Sequence, residues 1–365
     1  MGEYKLSKED VEALAIGAAI LGTGGGGDPY IGKLMVTQVL EKGKDIILVP
    51  PEDIPDDSFI ITSAFMGTPI TLIEKLPSGL DALRALKALE NYFNRRADYI
   101  TPVEAGGLNS TIPLYVGGLT GRPVLDGDGM GRAFPELQMV TFHLYGIKAT
   151  PMSLADEKGN SVILDTIDNI WAEKIARVVT IRMGGWASIA IYSMYGSQYK
   201  KAVIPHTITK AIEIGKAVRE AKSHGKNPID AVIDATNGYR LFEGKMVDVS
   251  RWIVAGFAKG EVTIEGLNDY KGKTMKIKFQ NENLVAEVNG EIVASVPDLI
   301  VVLDLETGEP ITTERHRYGY RVAIVGIPCD EKWRTPEALK VVGPRYFGYD
   351  IDYIPIEERI KAIGE

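Results

Sequence analysis

The sequence predicts an α/β protein whose N-terminal part is a layered α/β domain and whose C-terminal part is mainly β and barrel-like. Three observations support this fold class. The chain of 365 residues is longer than the roughly 250–300 residues at which a single hydrophobic core stops growing. Helical and strand-like patterns alternate in the first part, whereas short β runs separated by turn signals fill residues 244–326. We therefore expect two domains, residues 1–237 and 238–365.

The N-terminal elements follow from capping signals and apolar periodicity. Ser7, followed by acidic residues, predicts the start of an amphipathic helix that ends at the first glycines. A second helix and a buried strand follow, at residues 31–40 and 45–50. We predict further strands at residues 58–63, 98–104 and 123–126, and further helices at residues 80–94, from about 108, near 136–145, 206–223 and 228–235. Residues 176–191 are predicted as alternating strand-like and turn-like segments.

Composition and charge restrict the class of partner. Apolar residues make up 45% and charged residues 25% of the chain, which are ordinary globular values. The net charge of -8 disfavours nucleic acid and anionic membranes, because both select basic surfaces, and we expect a small-molecule ligand. The N-terminal apolar run is too short and too interrupted for a membrane span.

The single cysteine, Cys329, excludes an intrachain disulfide and a multi-cysteine metal site. It favours a reducing, cytoplasmic location. We interpret Cys329 as a buried structural thiol.

The first candidate site segment is the glycine-rich loop Gly22–Pro29. Consecutive glycines cost backbone entropy, so something must approach this backbone closely. Its N–H groups can bind an anion or a developing oxyanion, and the candidate substrate-binding residues are Gly24, Gly25, Gly26, Gly27 and Asp28. The alternatives are a flexible connection between helices and, for Asp28, an N-cap.

The second candidate segment is the acidic loop at residues 126–136. Asp126 and Asp128 lie two residues apart on a chain freed by glycines, so their carboxylates can converge on one point. Such a pair serves either as ligands for a divalent cation or as an acid/base couple with separated pKa values. Arg132 can orient a substrate carboxylate or carbonyl. The alternative is a tight turn with solvated acids and a structural Arg132–Glu136 pair.

Glu104 and Asn109 form a third candidate group, at a junction between a strand and a helix. Glu104 and Asp126 each close an apolar strand, at the edge where open α/β sheets bind ligands. Glu104 is a candidate general base, and Asn109 a contact for a carbonyl or oxyanion.

The four histidines lack the paired spacing of a histidine-rich zinc site. A mixed metal site that uses one histidine together with carboxylates stays open as an alternative. Another Gly-Gly pair precedes Trp186. We interpret this segment as a hinge, as a second wall of the site or as a sheet bulge.

Six motifs in order make the chain similar to the S-methyl thiohydantoin desulfurase family. They are LGTGGGGDP, VEAGGLNS, DGDGMGRAFPELQM, VPDLIVVLDLETGEPITTE, RYGYRVAI and VGPRYFGYDIDYIP. The resemblance spans residues 21–355 and implies an N-terminal three-layer α/β/α domain followed by a β-barrel-containing part. It also makes the two glycine-rich loops family hallmarks. Tyr346 and the pair Arg315-His316 depart from the family pattern.

The resemblance implies a hydrolase that acts on a thiohydantoin or hydantoin-like five-membered ring and releases sulfide or a thiol. In that scheme Asp126 or Asp128 activates water, directly or through a divalent metal such as zinc, and the other protonates the leaving group. Glu104 and Glu136 are the further catalytic candidates. A non-catalytic accessory subunit of a hydantoinase/oxoprolinase-type partner and a metabolite-binding regulator are the alternatives. We also expect a homo-oligomer.

Overall fold

The computed structural model describes residues 2–67, 71, 75 and 77–364. The helices within these residues are α1 (Lys8–Leu21), α2 (Pro29–Glu41), α3 (Asp81–Phe93), α4 (Ile112–Thr120), α5 (Thr141–Leu144), α6 (Asn169–Arg182), α7 (Gly196–Ala202), α8 (Thr207–Ser223), α9 (Pro228–Thr236), α10 (Pro336–Val342) and α11 (Ile356–Gly364). Short 3-10 helices occupy Pro51–Asp53, Gly107–Ser110, Asn268–Tyr270, Thr313–Arg315, Glu331–Arg334 and Pro344–Phe347.

The strands belong to three sheets. They are β1 (Tyr4–Lys5), β2 (Ile47–Val49), β3 (Phe59–Gly67), β4 (Tyr99–Pro102), β5 (Val124–Leu125), β6 (Gly127–Asp128), β7 (Met152–Ala155), β8 (Ser161–Leu164), β9 (Trp186–Tyr195), β10 (Ile204–Pro205), β11 (Tyr239–Val254), β12 (Phe257–Gly266), β13 (Thr274–Gln280), β14 (Glu282–Val288), β15 (Glu291–Ser295), β16 (Leu299–Asp304) and β17 (Arg321–Ile327). Strands β6 and β10 form a small two-stranded sheet of their own.

The first helices begin where the sequence predicts. The Ser7 hydroxyl accepts a hydrogen bond from the Asp10 N–H, and the Asp10 carboxylate accepts one from the Ser7 N–H. This reciprocal capping box satisfies two donors at the start of α1. Asp28 caps α2 by accepting from the Tyr30 N–H at 2.9 Å, and Pro29 occupies the first helical position, where its missing N–H is not needed.

The first large sheet has eight strands in the order β1-β2-β5-β4-β3-β9-β7-β8. Strands β2, β5, β4 and β3 are parallel to one another, and the other pairings are antiparallel. Side chains along β3 alternate between two buried clusters: Ile61 packs with residues of α3 and α4, whereas Ile60 packs with residues of α6 and α7. Helices therefore cover both faces of the sheet, which confirms the three-layer α/β/α arrangement.

The second large sheet is antiparallel throughout and has seven strands in the order β15-β14-β13-β12-β11-β17-β16. It begins at Tyr239 and curls into a half-barrel. Alternate inward residues of its strands form a separate buried cluster, in which Phe242, Ile264, Ile277 and Ile324 are almost fully buried. The barrel-like character predicted for this part of the chain is confirmed.

The two sheets also share one core. Leu284 and Leu299 of the second sheet belong to the same buried cluster as Leu14 and Leu21 of α1. Thr23 joins the two parts directly, because its hydroxyl accepts from the N–H and donates to the carbonyl of Ile300, both at 2.9 Å. The glycine loop that follows α1 is thereby held against the second sheet.

Two predictions of secondary structure were wrong in part. Residues 136–145 contain only the short helix α5, and before it the Leu137 N–H donates to Glu173 Oε2 at 3.0 Å and not to a helical carbonyl. Residues 176–182 belong to α6 and not to a strand-like segment. Large apolar residues lie on the outer face of α6, as at Ile170 and Val178, and they obscured the helical period that the prediction depends on.

Candidate functional site

A cavity of about 70 Å³ lies where the carboxyl ends of the parallel strands face the second sheet. Apolar walls come from Phe65 at the end of β3, Trp186 at the start of β9, and Phe134. Its acidic groups include Glu104 and Glu282, which come from the first and second parts of the chain. Both side chains are at least nine-tenths buried. Buried carboxyl groups in a cavity are the groups most often recruited for acid/base chemistry.

Glu104 lies just beyond β4, at the strand end where the sequence places it. Its Oε1 accepts a hydrogen bond from the Asn109 side-chain amide at 2.6 Å. Asn109 is itself fixed by Phe65, whose N–H donates to Asn109 Oδ1 at 2.6 Å and whose carbonyl accepts from Nδ2 at 3.0 Å. Oε2 of Glu104 is buried without a hydrogen-bond partner among the described residues. Asn109 therefore orients Glu104, and the backbone N–H of Phe134 favours the ionised form of its carboxyl group.

Glu282, the first residue of β14, is the functional candidate that sequence reasoning missed. It contacts the glycine loop so closely that a Cβ on Gly25 would lie 2.1 Å from Glu282 Oε1. The Gly26 N–H donates a hydrogen bond to its carboxyl group. Its Oε2, like that of Glu104, has no hydrogen-bond partner in the described part of the chain. The glycine run indicated a close approach, but nothing local indicated which distant residue approaches.

The two carboxyl groups influence each other's ionisation. Burial raises the pKa of Glu104 well above its ordinary value, and repulsion from Glu282 raises it further. Burial raises the pKa of Glu282 to about 8, although the positive charge of Arg132 opposes that shift. Because Arg132 has its own pKa lowered by burial only to about 10, it stays charged at neutral pH. Burial therefore favours the protonated form of both glutamates at neutral pH, and the positive charge of Arg132 favours ionisation of Glu282 as the pH rises toward 8.

The glycine loop positions these groups. Gly24 and Gly26 have positive φ angles of 90° and 73°, which glycine adopts without strain. The carbonyl of Gly24 accepts from the Thr313 N–H at 2.8 Å, and that of Gly26 from the Leu108 N–H at 2.9 Å. Gly26 and Gly27 line the cavity, whereas Gly24 and Gly25 contact the second sheet. The carboxyl group of Glu282 therefore lies against the backbone of this loop.

Asp126 and Asp128 do not converge on one point. Asp128 is fully buried and accepts from the N–H groups of Ala105, Met130 and Gly131 at 2.8–3.1 Å. It organises the acidic loop and the backbone next to Glu104, and burial raises its pKa to about 7. The two carboxylates belong to separate hydrogen-bond networks.

Asp126 lies outside the cavity, at the start of α8. Its carboxylate accepts from the N–H groups of Ile208 and Thr209 and from the Thr209 hydroxyl, at 2.6–3.1 Å. The ring of His206 lies 3.4 Å away, in a second pocket that Asp126 also lines. These donors belong to the first turn of a helix, where a carboxylate compensates unsatisfied N–H groups.

Arg132 and Asp28 also have structural partners in place of a substrate. Arg132 donates to the carbonyls of Ala133, Pro297 and Asp298, and so it fastens the acidic loop to the second sheet. Its guanidinium does not pair with Glu136. Asp28 caps α2 and forms an ion pair with Arg315 at 3.7 Å.

Glu136 lies at the edge of the cavity, where it accepts from the Tyr346 hydroxyl at 2.8 Å. A basic residue absent from the sequence-based candidates, Arg177 of α6, also lines the cavity. It pairs with Glu173 at 2.7 Å and donates to the Pro135 carbonyl at 3.0 Å. Because residues 176–182 were not predicted as a helix, nothing placed Arg177 beside these loops.

Comparison with known protein families covers both parts of the chain. Residues 9–166 match the family described as "S-Me-THD-like, N-terminal domain", and residues 167–356 match "S-Me-THD-like, C-terminal domain". The chain belongs to the S-Me-THD-like family. The resemblance to the S-methyl thiohydantoin desulfurase family, inferred from six motifs, is thereby confirmed. The boundary between the two matches precedes the start of the half-barrel sheet at Tyr239.

A solved structure shows the same fold as this S-Me-THD-like chain. The X-ray crystal structure of a protein from Chromobacterium violaceum superposes with a TM-score of 0.83 and 22% sequence identity, covering 97% of this chain and 100% of that one. At this identity the likeness establishes the fold alone. No curated protein matches the chain.

The remaining candidate groups of the S-Me-THD-like chain lie away from the cavity. Cys329 is buried, as predicted, and burial raises the pKa of its thiol to about 12. His224 is exposed and His316 is buried. Within the described ranges no three histidine, cysteine or acidic residues are grouped so that they could hold a metal ion. No helix in those ranges is both long and apolar enough to cross a membrane.

Proposed function

We propose that this S-Me-THD-like protein hydrolyses a thiohydantoin or hydantoin-like five-membered ring at the carbon that bears sulfur, and releases sulfide or a thiol. The observation that carries the proposal is the buried pair Glu104 and Glu282, which line one cavity and each have one buried carboxyl oxygen without a hydrogen-bond partner among the described residues. A pair of carboxyl groups with separated ionisation can remove one proton and donate another in the same reaction.

The charges around the pair assign the two roles. Glu282 is the acid that ionises, because the positive charge of Arg132 favours its carboxylate, and since burial keeps its pKa at about 8, the base form gains population as the pH rises toward that value. Burial holds the pKa of Glu104 well above its ordinary value, and repulsion from Glu282 and Asp128 raises it further, so Glu104 retains its proton. Glu282 therefore acts as the general base and Glu104 as the general acid.

The reaction balances with water as the only co-substrate. Glu282 takes a proton from water as the water oxygen bonds to the ring carbon, and Glu104 gives a proton to the sulfur as the carbon–sulfur bond breaks. The oxygen stays on the ring as a carbonyl. For an S-alkyl substrate the products are the thiol and a ring whose nitrogen carries the second proton, and for a thiocarbonyl the product is hydrogen sulfide.

Other groups of the cavity support binding. The rings of Phe65, Phe134 and Trp186 suit a flat, weakly polar ring, and they limit the access of bulk water. Arg177 offers a positive charge to a ring carbonyl or to a carboxylate on the substrate. Gly26 and Gly27 allow the ligand to approach the loop backbone closely.

Replacing either acid isosterically tests the proposal. We expect Glu282→Gln and Glu104→Gln each to lower kcat/KM at least ~100-fold, without loss of the folded state. Activity is measured as release of thiol or sulfide from S-methyl thiohydantoins and thiohydantoins, and folding by circular dichroism. The matched control is Asp126→Asn, at a buried acid outside the cavity, which should retain most activity. Undiminished turnover by Glu282→Gln, or an inactive Asp126→Asn protein that is folded, would contradict the assignment.

A further inference from the structure

The outer face of α6 carries an exposed apolar stripe. Ile167, just before the helix, is 79% exposed, and Val178 is 60% exposed. The stripe, named here the α6 stripe, consists of Ile167, Ile170, Trp171, Ile175, Val178 and Ile181, all exposed. Its positions recur every three or four residues, so they lie on one side of the helix. Contiguous exposed apolar surface of this kind marks an interaction site.

The inner face of α6 makes this exposure more unusual. The buried residues of the helix are small or polar: Asn169, Ala172, Glu173, Ala176, Arg177 and Thr180. A surface helix of a monomer normally buries its large apolar residues and exposes its charges. Here the large apolar residues face outward, so the helix has the residue pattern of an element buried on both sides.

The charges at the ends of the stripe are complementary to each other. Asp165 and Asp168 are exposed at its N-terminal end, and Arg182 is exposed at its C-terminal end. The ion pair that α6 forms with described residues is the internal one between Glu173 and Arg177, and Asp168 and Arg182 have no ionic partner there. Asp168 and Arg182 lie the same number of positions from Ile175, in opposite directions.

We propose that the α6 stripe binds the α6 stripe of a second copy of this chain, antiparallel, about a two-fold axis near Ile175. In this arrangement Arg182 of each copy lies beside Asp168 of the other, and Trp171 beside Val178. A two-fold interface requires a patch that is complementary to itself. The two ends of the stripe carry opposite charge, and the large apolar residues surround one exposed lysine, Lys174, whose ammonium group lies 5.0 Å from the centre of the Trp171 ring.

The turn between β11 and β12 enlarges the surface. A Cβ on Gly256 in this turn would lie 3.1 Å from Cδ of Arg177 and 3.7 Å from Cδ1 of Ile181, so the turn rests against the C-terminal half of α6. The exposed residues Trp252 and Ile253 precede it. In the antiparallel pair this turn faces the second copy's α6 at its N-terminal end. Stable interfaces bury roughly 800 Å² per partner, and the exposed residues of this turn add to the area that the α6 stripe offers.

Sedimentation velocity over a micromolar dilution series tests the interface directly. We expect the wild-type protein to be a dimer, and Val178→Lys to raise the dimer dissociation constant at least ~30-fold, because it brings two ammonium groups into an apolar contact. The matched control, Leu34→Lys, changes an exposed leucine of α2 and should leave the dimer unchanged. A wild-type monomer throughout the series, or an undiminished dimer of Val178→Lys, would overturn the proposal.

A charge exchange tests the antiparallel register. Arg182→Asp should weaken the dimer, because it places two acidic groups together, and adding Asp168→Arg to the same chain should restore it. In a parallel pair each substituted position would lie beside the same position of the other copy, so the double variant would still bring like charges together. Lack of rescue, with the single and the double variant both folded, would therefore overturn the antiparallel register. These measurements do not depend on catalysis, and therefore they separate the interface from the proposed hydrolysis.

Discussion

At the scale of single residues, the main feature is a pair of acids contributed by distant parts of the chain. Glu104 and Glu282 share a cavity, and Arg132 supplies one compensating charge. The sequence predicted Glu104 and Asn109 in the site from their position at a strand end, and the structure places both in the cavity. It could not predict Glu282, since that residue opens a strand of a sheet whose packing partner is set by the tertiary fold.

The raised pKa of Glu282 predicts a pH dependence of stability. Because its folded-state pKa, about 8, exceeds the unfolded value, the folded state binds the proton more tightly. The stabilisation is complete below the unfolded pKa and is lost as pH rises toward 8. Glu282→Gln removes this loss, so the variant should be more stable than wild type at pH 8, by roughly 1–3 kcal/mol.

Urea unfolding at pH 5 and pH 8 measures the difference. The wild-type free energy of unfolding should fall between these pH values more steeply than that of Glu282→Gln. Asp128, whose pKa is also raised, should preserve part of the slope in both proteins. Parallel slopes would show that Glu282 titrates normally in the folded protein and would contradict the acid/base assignment.

At the scale of elements, the glycine loop after α1 connects the two large sheets through hydrogen bonds and close packing. Thr23 bonds to the second sheet, Gly24 to the 3-10 helix Thr313–Arg315, and Gly26 to the 3-10 helix Gly107–Ser110. The sequence predicted that something approaches this backbone, and it predicted the caps of the flanking helices. The loop's real partner is a protein carboxyl group, and such a long-range pairing leaves no mark in local periodicity.

The variant Gly25→Ala tests the contact between the glycine loop and Glu282. The added Cβ would lie 2.1 Å from Glu282 Oε1, so the carboxyl group must move, and we expect a loss of activity of at least ~10-fold and a destabilisation of about 1–3 kcal/mol. The control is Gly225→Ala, where a Cβ would meet no atom within 4 Å. That variant carries only the strain of its positive φ, about 1 kcal/mol. Equal activity of the two variants would count against a tight Gly25–Glu282 contact.

At the scale of the whole molecule, the two predicted parts share a core. Leu14 and Leu21 pack in the same cluster as Leu284 and Leu299. Periodicity and turn signals predicted the change in architecture along the chain, because they are local properties. They could not reveal the shared core, because contacts between distant segments depend on how the sheets pack.

A shared core predicts cooperative unfolding. We expect one calorimetric transition for the full chain, in which the calorimetric and van't Hoff enthalpies are equal. A fragment of residues 1–237 should expose Leu21 and the glycine loop, and should not give a cooperative transition by itself. A soluble fragment with a transition of its own would show that the first part folds independently.

The contact between Gly25 and Glu282 also determines when the site can be completed during protein synthesis. The glycine loop leaves the ribosome among the first segments, while Glu282 leaves only after the whole α/β sheet and the first strands of the half-barrel. A growing chain therefore contains Glu104 and the glycine loop before the acid that completes the pair has been synthesised. The site can catalyse a reaction only after β14 has packed against the glycine loop, so incomplete chains have no activity.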